Sequence, residues 1–209
     1  LSVEGVARLV DPELADWIAA EVSFPSSMVD RINPVTSQED VDRVREALGV
    51  EDAWPVPCEP FTQWGVEDDF GNGRPPFEEV GVLFTDEIDL FEAVKLRLLN
   101  GSHQTVAYIG QLLGYTYVNE AFQDERVAAY VRAYMEAEGV PTLVAPQGLD
   151  IAEYVDELFV RFGNPSVRDL LARLSVDASN RMPKLLVPVL LDRVAAGSPC
   201  VVGASILAS

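Results

Sequence analysis

The sequence predicts a mainly α-helical domain with a small irregular or β-containing excursion, and three observations lead there. Apolar residues recur at helical spacing over most of the chain, helix start and stop signals bound those stretches, and prolines and glycines gather in one segment near the middle. With 48% apolar residues in 209, the chain can fill a real core.

Asp11-Pro12 reads as an N-cap followed by Pro at the first helical position, with Leu14, Trp17, Ile18 and Val22 at helical spacing behind it. Phe24-Pro25 ends that helix, and residues 24–36 read as a loop. Ser37 with Asp40 forms a capping-box pattern for a second helix through Val41, Val44 and Leu48, closed by Gly49. Between Trp54 and Pro76 lie five prolines and three glycines, so that segment is expected to be irregular, with short strands at Phe61–Val66 and Val80–Phe84. A long helix is expected from Glu87 to about Leu113, where no proline occurs and Ile88, Leu90, Phe91, Val94, Leu98 and Leu99 cover much of its circumference. Further helices fit Glu125–Glu138, Asp150–Phe162, Ser166–Leu174 and Pro183–Ala196. No repeat or linker interrupts them, so residues 1–209 read as one helical domain.

Composition narrows the partners. Fifteen Lys and Arg against 34 Asp and Glu give a net charge of −19, which repels nucleic-acid phosphates and anionic membrane surfaces. No apolar run is long enough to span a bilayer, and no basic-then-apolar secretory start is present. Cys58 and Cys200 match neither a zinc spacing nor a CxxC redox pair, and read as free thiols in a reducing, cytoplasmic compartment. No metal site is expected. Asp68-Asp69 has no histidine nearby and reads as a solvated acidic turn, while Trp64 and the Met182 and Leu185–Leu191 positions read as packing. The chain opens at Leu1 without Met and ends on the apolar run Ile206-Leu207-Ala208-Ser209, the pattern expected of a fragment.

Chemistry concentrates on the long helix. The chain's one histidine, His103, closes the run Lys95-Leu96-Arg97-Leu98-Leu99-Asn100-Gly101-Ser102-His103. On an ideal α-helix with Lys95 at zero, Glu92 falls near about 60°, His103 near about 80° and Asn100 near about 140°. All four share one side, and an amine, an amide and an imidazole on one face are costly to bury unless something uses them. Spacing alone leaves His103 open to a structural reading, Lys95 to a snorkelling one and Asn100-Gly101 to a kink or cap.

The run KLRLLNGSH resembles the signature of the polyol-specific long-chain dehydrogenases, the mannitol dehydrogenase family. Other blocks agree in order: FPSSMVDRINP (24–34), EPFTQWGVED (59–68), NGRPPFEEVGV (72–82), RFGNPSVRDLLARL (161–174) and NRMPKLLVPVL (180–190). The family block usually reads FPNxMVDRITP, so Ser26 and Asn33 are minor departures. The resemblance implies the multi-helical C-terminal domain of that family, similar to that of 6-phosphogluconate dehydrogenase. It further implies metal-independent hydride transfer between a polyol and NAD, with mannitol and fructose as the expected pair, in an enzyme that is usually monomeric or built with few subunit contacts.

Carried over position by position, the resemblance makes Lys95 the general base, Asn100 one of two amides polarising the oxygen, and His103 the grip on a neighbouring hydroxyl. Asp30 and Arg173 match positions that bind the polyol chain, and Glu92 a carboxylate that relays the proton. These residue types suit the reaction. Negative charge builds on oxygen as the proton leaves, so an amide donor aimed at it lowers the barrier. A lysine that accepts the proton near neutral pH has to be desolvated or faced by positive charge, and an ionised Glu92 close by would oppose that.

Gly71-Asn72-Gly73 is too short for a dinucleotide fingerprint and lies in a Pro-rich stretch. The NAD-binding Rossmann domain and the second amide, which the family places upstream, are therefore expected outside this chain, and the 209 residues alone are expected to be inactive. Two other readings stand beside the polyol one. A sugar-acid reductase of the fructuronate type would need a second cation to meet a carboxylate, with Arg97 or Arg31 as candidates, and Cys58 before Glu59-Pro60-Phe61 leans that way. A non-catalytic helical binding module would need no cofactor at all.

Overall fold

The computed structural model describes residues 2–209 and is mainly helical with one small sheet, the class expected. Its contacts divide it into two compact units, residues 1–29 with 63–88 and residues 30–62 with 89–209, rather than a single one.

The smaller unit opens on α1 (Ser2–Val10), a helix the sequence reading passed over, and α2 (Pro12–Glu21), where the Asp11 carboxylate caps the N–H groups of Glu13 and Leu14. Ala7, Ala15 and Ile18 bury their side chains between these helices. Residues 24–36 are not wholly loop, because β1 (Ser27–Asp30) lies within them and alternates exposed and buried positions.

In the larger unit, α3 (Gln38–Leu48) carries the predicted capping box, Ser37 and Asp40 each satisfying the other's backbone N–H, and ends on Gly49 at a φ of 67°. Back in the smaller unit, β2 (Gln63–Glu67) and β3 (Leu83–Thr85) complete the sheet in the order β1-β2-β3, with Gly65 opposite Leu83 in the parallel β2–β3 pair. Trp64 lays its ring against Phe77 but stays 39% exposed, so it is less buried than the packing anchor expected.

The long helix comes next and differs from the ideal one. It consists of α4 (Ile88–Val94), a π-helical stretch at Lys95–Asn100 and α5 (Gly101–Leu112), marked by the Gly101 N–H donating to the Leu96 carbonyl five residues back. A π-turn advances about 80° per residue, so Asn100 turns to within about 50° of Lys95 instead of about 140°, and His103 falls almost above Lys95. Ideal α-helical arithmetic thus understated how well the three are aligned. Tyr134 packs closely against this stretch: a Cβ on Gly101 would lie 2.3 Å from its hydroxyl, which donates to the Arg97 carbonyl inside the π-stretch.

Around this helix pack α6 (Val118–Phe122), α7 (Glu125–Ala133) with a second π-stretch at Tyr134–Gly139, and α8 (Ile151–Phe162), capped by Asp150. The helix expected at Ser166–Leu174 shrinks to α9 (Leu171–Leu174). Leu170 pairs with Tyr117 as an isolated bridge, drawing the preceding residues into extended backbone. The one expected at Pro183–Ala196 starts earlier and divides into α10 (Ala178–Leu185) and α11 (Val187–Ala195), since Pro188 has no N–H for the Lys184 carbonyl. The closing α12 (Val201–Leu207) is held by buried Glu138, whose oxygens accept from the Val202 and Gly203 N–H groups. Leu98, Val106, Tyr134, Met135, Leu158, Leu171, Leu186 and Val189 are among the fully buried side chains of the larger unit's core. No helix among the described residues is long and apolar enough to cross a membrane, and both cysteines are free thiols.

Candidate active site

One cavity of about 230 Å³ in the larger unit gathers five of the six site residues named from the sequence: Asp30, Lys95, Asn100, His103 and Arg173. Arg31, Asp169 and Arg181 also face it. Glu92 lies one turn before Lys95, is exposed, and is outside the lining, so the relay position is not part of this cavity.

His103 is 95% buried and stacks on Phe162 with ring centroids 4.6 Å apart. Burial, and then the charges of Arg161, Arg173 and Arg181, push its pKa down to about 3, so the imidazole is neutral over the ordinary pH range. Its Nε2 is buried without a hydrogen-bond partner, and so is Oδ1 of Asn100. Two orphaned polar atoms facing one polar cavity are what a hydroxyl-rich ligand would satisfy.

Asp30 is fully buried at the end of β1, and its carboxylate is heavily engaged. Arg161 donates to both oxygens, at 2.6 and 3.1 Å, and the Tyr154 hydroxyl donates to Oδ2 at 2.6 Å. That leaves Oδ1 with acceptor capacity for one more donor. The same guanidinium binds Glu59 through Nε and Nη2, and Glu59 fixes the chain after Asp30 by accepting the Ile32 N–H at 2.5 Å. Tyr154 has its hydroxyl pKa raised well above the ordinary value, by burial first and then by the Asp30 charge, so it stays a donor. Elsewhere in the lining, Asp169 holds Arg173 through three hydrogen bonds of 2.6 to 2.9 Å.

Arg161, Glu59, Tyr154 and Asp169 were not singled out by sequence reasoning, although signals existed. Arg161 interrupts the apolar stripe of α8 formed by Tyr154, Val155, Leu158 and Phe162, and Asp169 stands four residues before Arg173. Of the two cations proposed to meet a carboxylate, Arg97 bonds Asp192 and the Thr142 carbonyl outside the cavity lining, whereas Arg31 lines the cavity and donates to the Glu59 carbonyl. Asp68 and Asp69 sit in the smaller unit on Arg74 and Ser23, and no group of three or more His, Cys, Asp or Glu able to hold a metal forms among the described residues.

Gly71-Asn72-Gly73 forms a turn that leads only to a short 3-10 turn at Phe77–Val80, whose Glu78 and Glu79 would repel a pyrophosphate.

Comparisons with known proteins bear on both parts of the chain. A family model described as the mannitol dehydrogenase C-terminal domain matches residues 87–205, and one described as the mannitol dehydrogenase Rossmann domain matches residues 3–79. Mannitol 2-dehydrogenase of Neosartorya fischeri is 44% identical over 195 residues, 92% of this chain and 39% of that protein. The Aspergillus fumigatus enzyme of the same name is 45% identical over the same shares. The chain therefore spans about two fifths of the length of these relatives. Among solved structures, Pseudomonas fluorescens mannitol 2-dehydrogenase in a ternary complex with NAD and D-mannitol superposes with a TM-score of 0.90 at 44% identity, over 98% of this chain and 42% of that one. A substrate-free D-sorbitol dehydrogenase gives 0.85 at 34% identity, over 94% and 40%. With the C-terminal model alone covering more than half of its residues, the chain belongs to the mannitol dehydrogenase family.

Proposed function

We propose that this chain carries the substrate and proton-transfer site of an NAD-dependent polyol dehydrogenase that interconverts mannitol and fructose, with residues 30–62 and 89–209 as its substrate unit. The observation that carries the reading is the convergence of Lys95, Asn100, His103, Asp30 and Arg173 on one cavity, with an imidazole nitrogen and an amide oxygen left unpartnered there. NAD, held by the Pseudomonas fluorescens enzyme in its ternary complex, is the hydride acceptor this reading assigns. No residue described here is assigned to hold it.

In this reading Lys95 removes the hydroxyl proton, and Asn100 donates to the oxygen as charge develops on it. Neutral His103 is too weak a base to compete with the amine, so it orients the adjacent hydroxyl through Nε2. Asp30, made an acceptor by its pairing with Arg161, takes a hydroxyl on its remaining lone pair, and Arg173 donates from elsewhere in the lining. Glu92, exposed one turn away, passes the proton to solvent without lining the cavity. The reading is metal-independent, with the amine and amide doing what a Lewis acid would otherwise do. Free thiols fit a cytoplasmic, monomeric enzyme of carbohydrate metabolism, and the −19 charge fits one that avoids nucleic acid and membranes.

The test is a scan of polyols and sugar acids with NAD and NADP on the full-length gene product. Mannitol oxidation with NAD is expected to lead. Absence of any polyol turnover, or turnover of sugar acids alone, would overturn the assignment.

A further inference from the structure

Arg173 faces the cavity with 40% of its side chain exposed, but its charge is not left free, because Asp169 meets it with both carboxylate oxygens. Asp169 is itself fixed. Its side chain is 3% exposed, its carbonyl accepts the Val118 N–H at 3.0 Å, and the next residue, Leu170, is pinned to Tyr117. The pair is thus held by a rigid wall and does not swing as a surface ion pair would.

The rest of the cavity makes that neutralisation matter. Arg181 donates to the Leu174 carbonyl and Arg31 to the Glu59 carbonyl, both neutral acceptors that cancel no charge. Asp30 and Glu59 are both taken up by Arg161. In a chain of net charge −19, Arg31 and Arg181 thus make a local cluster of cations beside Arg173, whose own charge meets the Asp169 carboxylate.

We propose that Asp169 is a positioning and specificity-determining residue: it aims Arg173 at a hydroxyl and, by cancelling its charge, makes the cavity favour an uncharged polyol over the corresponding sugar acid. This rests on the assignment of Arg173 to substrate binding. In the Asp169→Asn variant the shape is kept and the charge removed, so Arg173 loses its bidentate acceptor and its positive charge is unmasked.

The experiment uses the full-length gene product, with mannitol as substrate and gluconate as the anionic probe. For Asp169→Asn, the mannitol KM is expected to rise about tenfold with a smaller change in kcat, while gluconate inhibition tightens about tenfold. The double variant Asp169→Asn, Arg173→Gln should lose the gluconate gain. If gluconate binds unchanged or more weakly in Asp169→Asn, the role of Asp169 is only structural and the proposal is overturned. Should that variant fail to fold, Arg173→Gln reads the device from the other side. An unpaired Asp169 is then expected to weaken gluconate about tenfold more than mannitol, and equal weakening overturns the proposal. A wild-type protein without polyol turnover would sink the dehydrogenase reading instead, and gluconate binding measured by calorimetry on the same variants would still decide the charge question.

Discussion

Arg161 and Asp30 stand 131 residues apart in sequence and meet through two parallel charge-assisted hydrogen bonds, from Nη1 to Oδ2 at 3.1 Å and from Nη2 to Oδ1 at 2.6 Å. The guanidinium also holds Glu59 and lies 3.9 Å over the Phe61 ring, so one side chain ties Asp30, the chain after it and the segment 59–61 to α8. Removing it would strand two carboxylates with almost no solvent. Arg161→Met is expected to cost about 3 to 5 kcal/mol, measured as the loss of unfolding free energy in denaturant. A cost below about 1 kcal/mol would show that water or another cation replaces it.

His103 makes stability depend on pH, and it is the chain's one histidine. Unfolded, it takes a proton below its ordinary value of 6.5, whereas the folded site holds it neutral down to about 3. The unfolded state therefore binds the extra proton as pH falls, and stability is lost from 6.5 downward at up to about 1.4 kcal/mol per pH unit. His103→Gln should flatten the unfolding free energy between pH 6.5 and 5 relative to the wild type. Parallel pH profiles would mean that the imidazole is protonated in the fold.

Lys95→Ala in the full-length gene product is expected to cut polyol turnover by about 10² to 10⁴-fold while leaving the circular dichroism spectrum and melting curve close to wild type. Lys95 is half-buried beside the cavity, so little packing is lost. Near-normal turnover would remove the amine from the mechanism.

Gly101→Ala tests the packing of Tyr134 against the π-stretch. A new Cβ would lie 2.3 Å from the Tyr134 hydroxyl and 3.0 Å from its ring carbon, and Tyr134 is fully buried. Destabilisation of about 1 to 3 kcal/mol is expected, together with weaker polyol binding as Asn100 shifts. Relief by Tyr134→Phe in the double variant would identify the hydroxyl as the obstacle.

Local chemistry was readable from the sequence, and tertiary pairing was not. Asp11, Ser37 with Asp40, Gly49 and Asp150 announced their helix ends because a cap is a contact between near neighbours. Lys95, Asn100 and His103 were found by spacing and resemblance, and they do share a cavity. The partners of Asp30 escaped notice because 124 and 131 residues separate it from Tyr154 and Arg161. The Leu170 bridge could not be foreseen for the same reason, and it is what cut the predicted Ser166–Leu174 helix short. The π-stretch left no mark on the apolar pattern: Val94, Leu98 and Leu99 are buried there at spacings an α-helix would also accept.

The widened turn from Lys95 to Asn100 carries one more residue than an α-helix would need to bring the same side chains into line. Five steps at about 80° and four steps at about 100° both come to about 400°, so a chain one residue shorter here, wound as an ordinary helix, would keep the amine and the imidazole on one side. Ordinary winding with every residue kept would instead turn all that follows by about 100° against all that precedes, sending Asn100 back to about 140° from Lys95. The extra residue and the wide winding therefore belong together, and losing the winding alone is what would spoil the alignment.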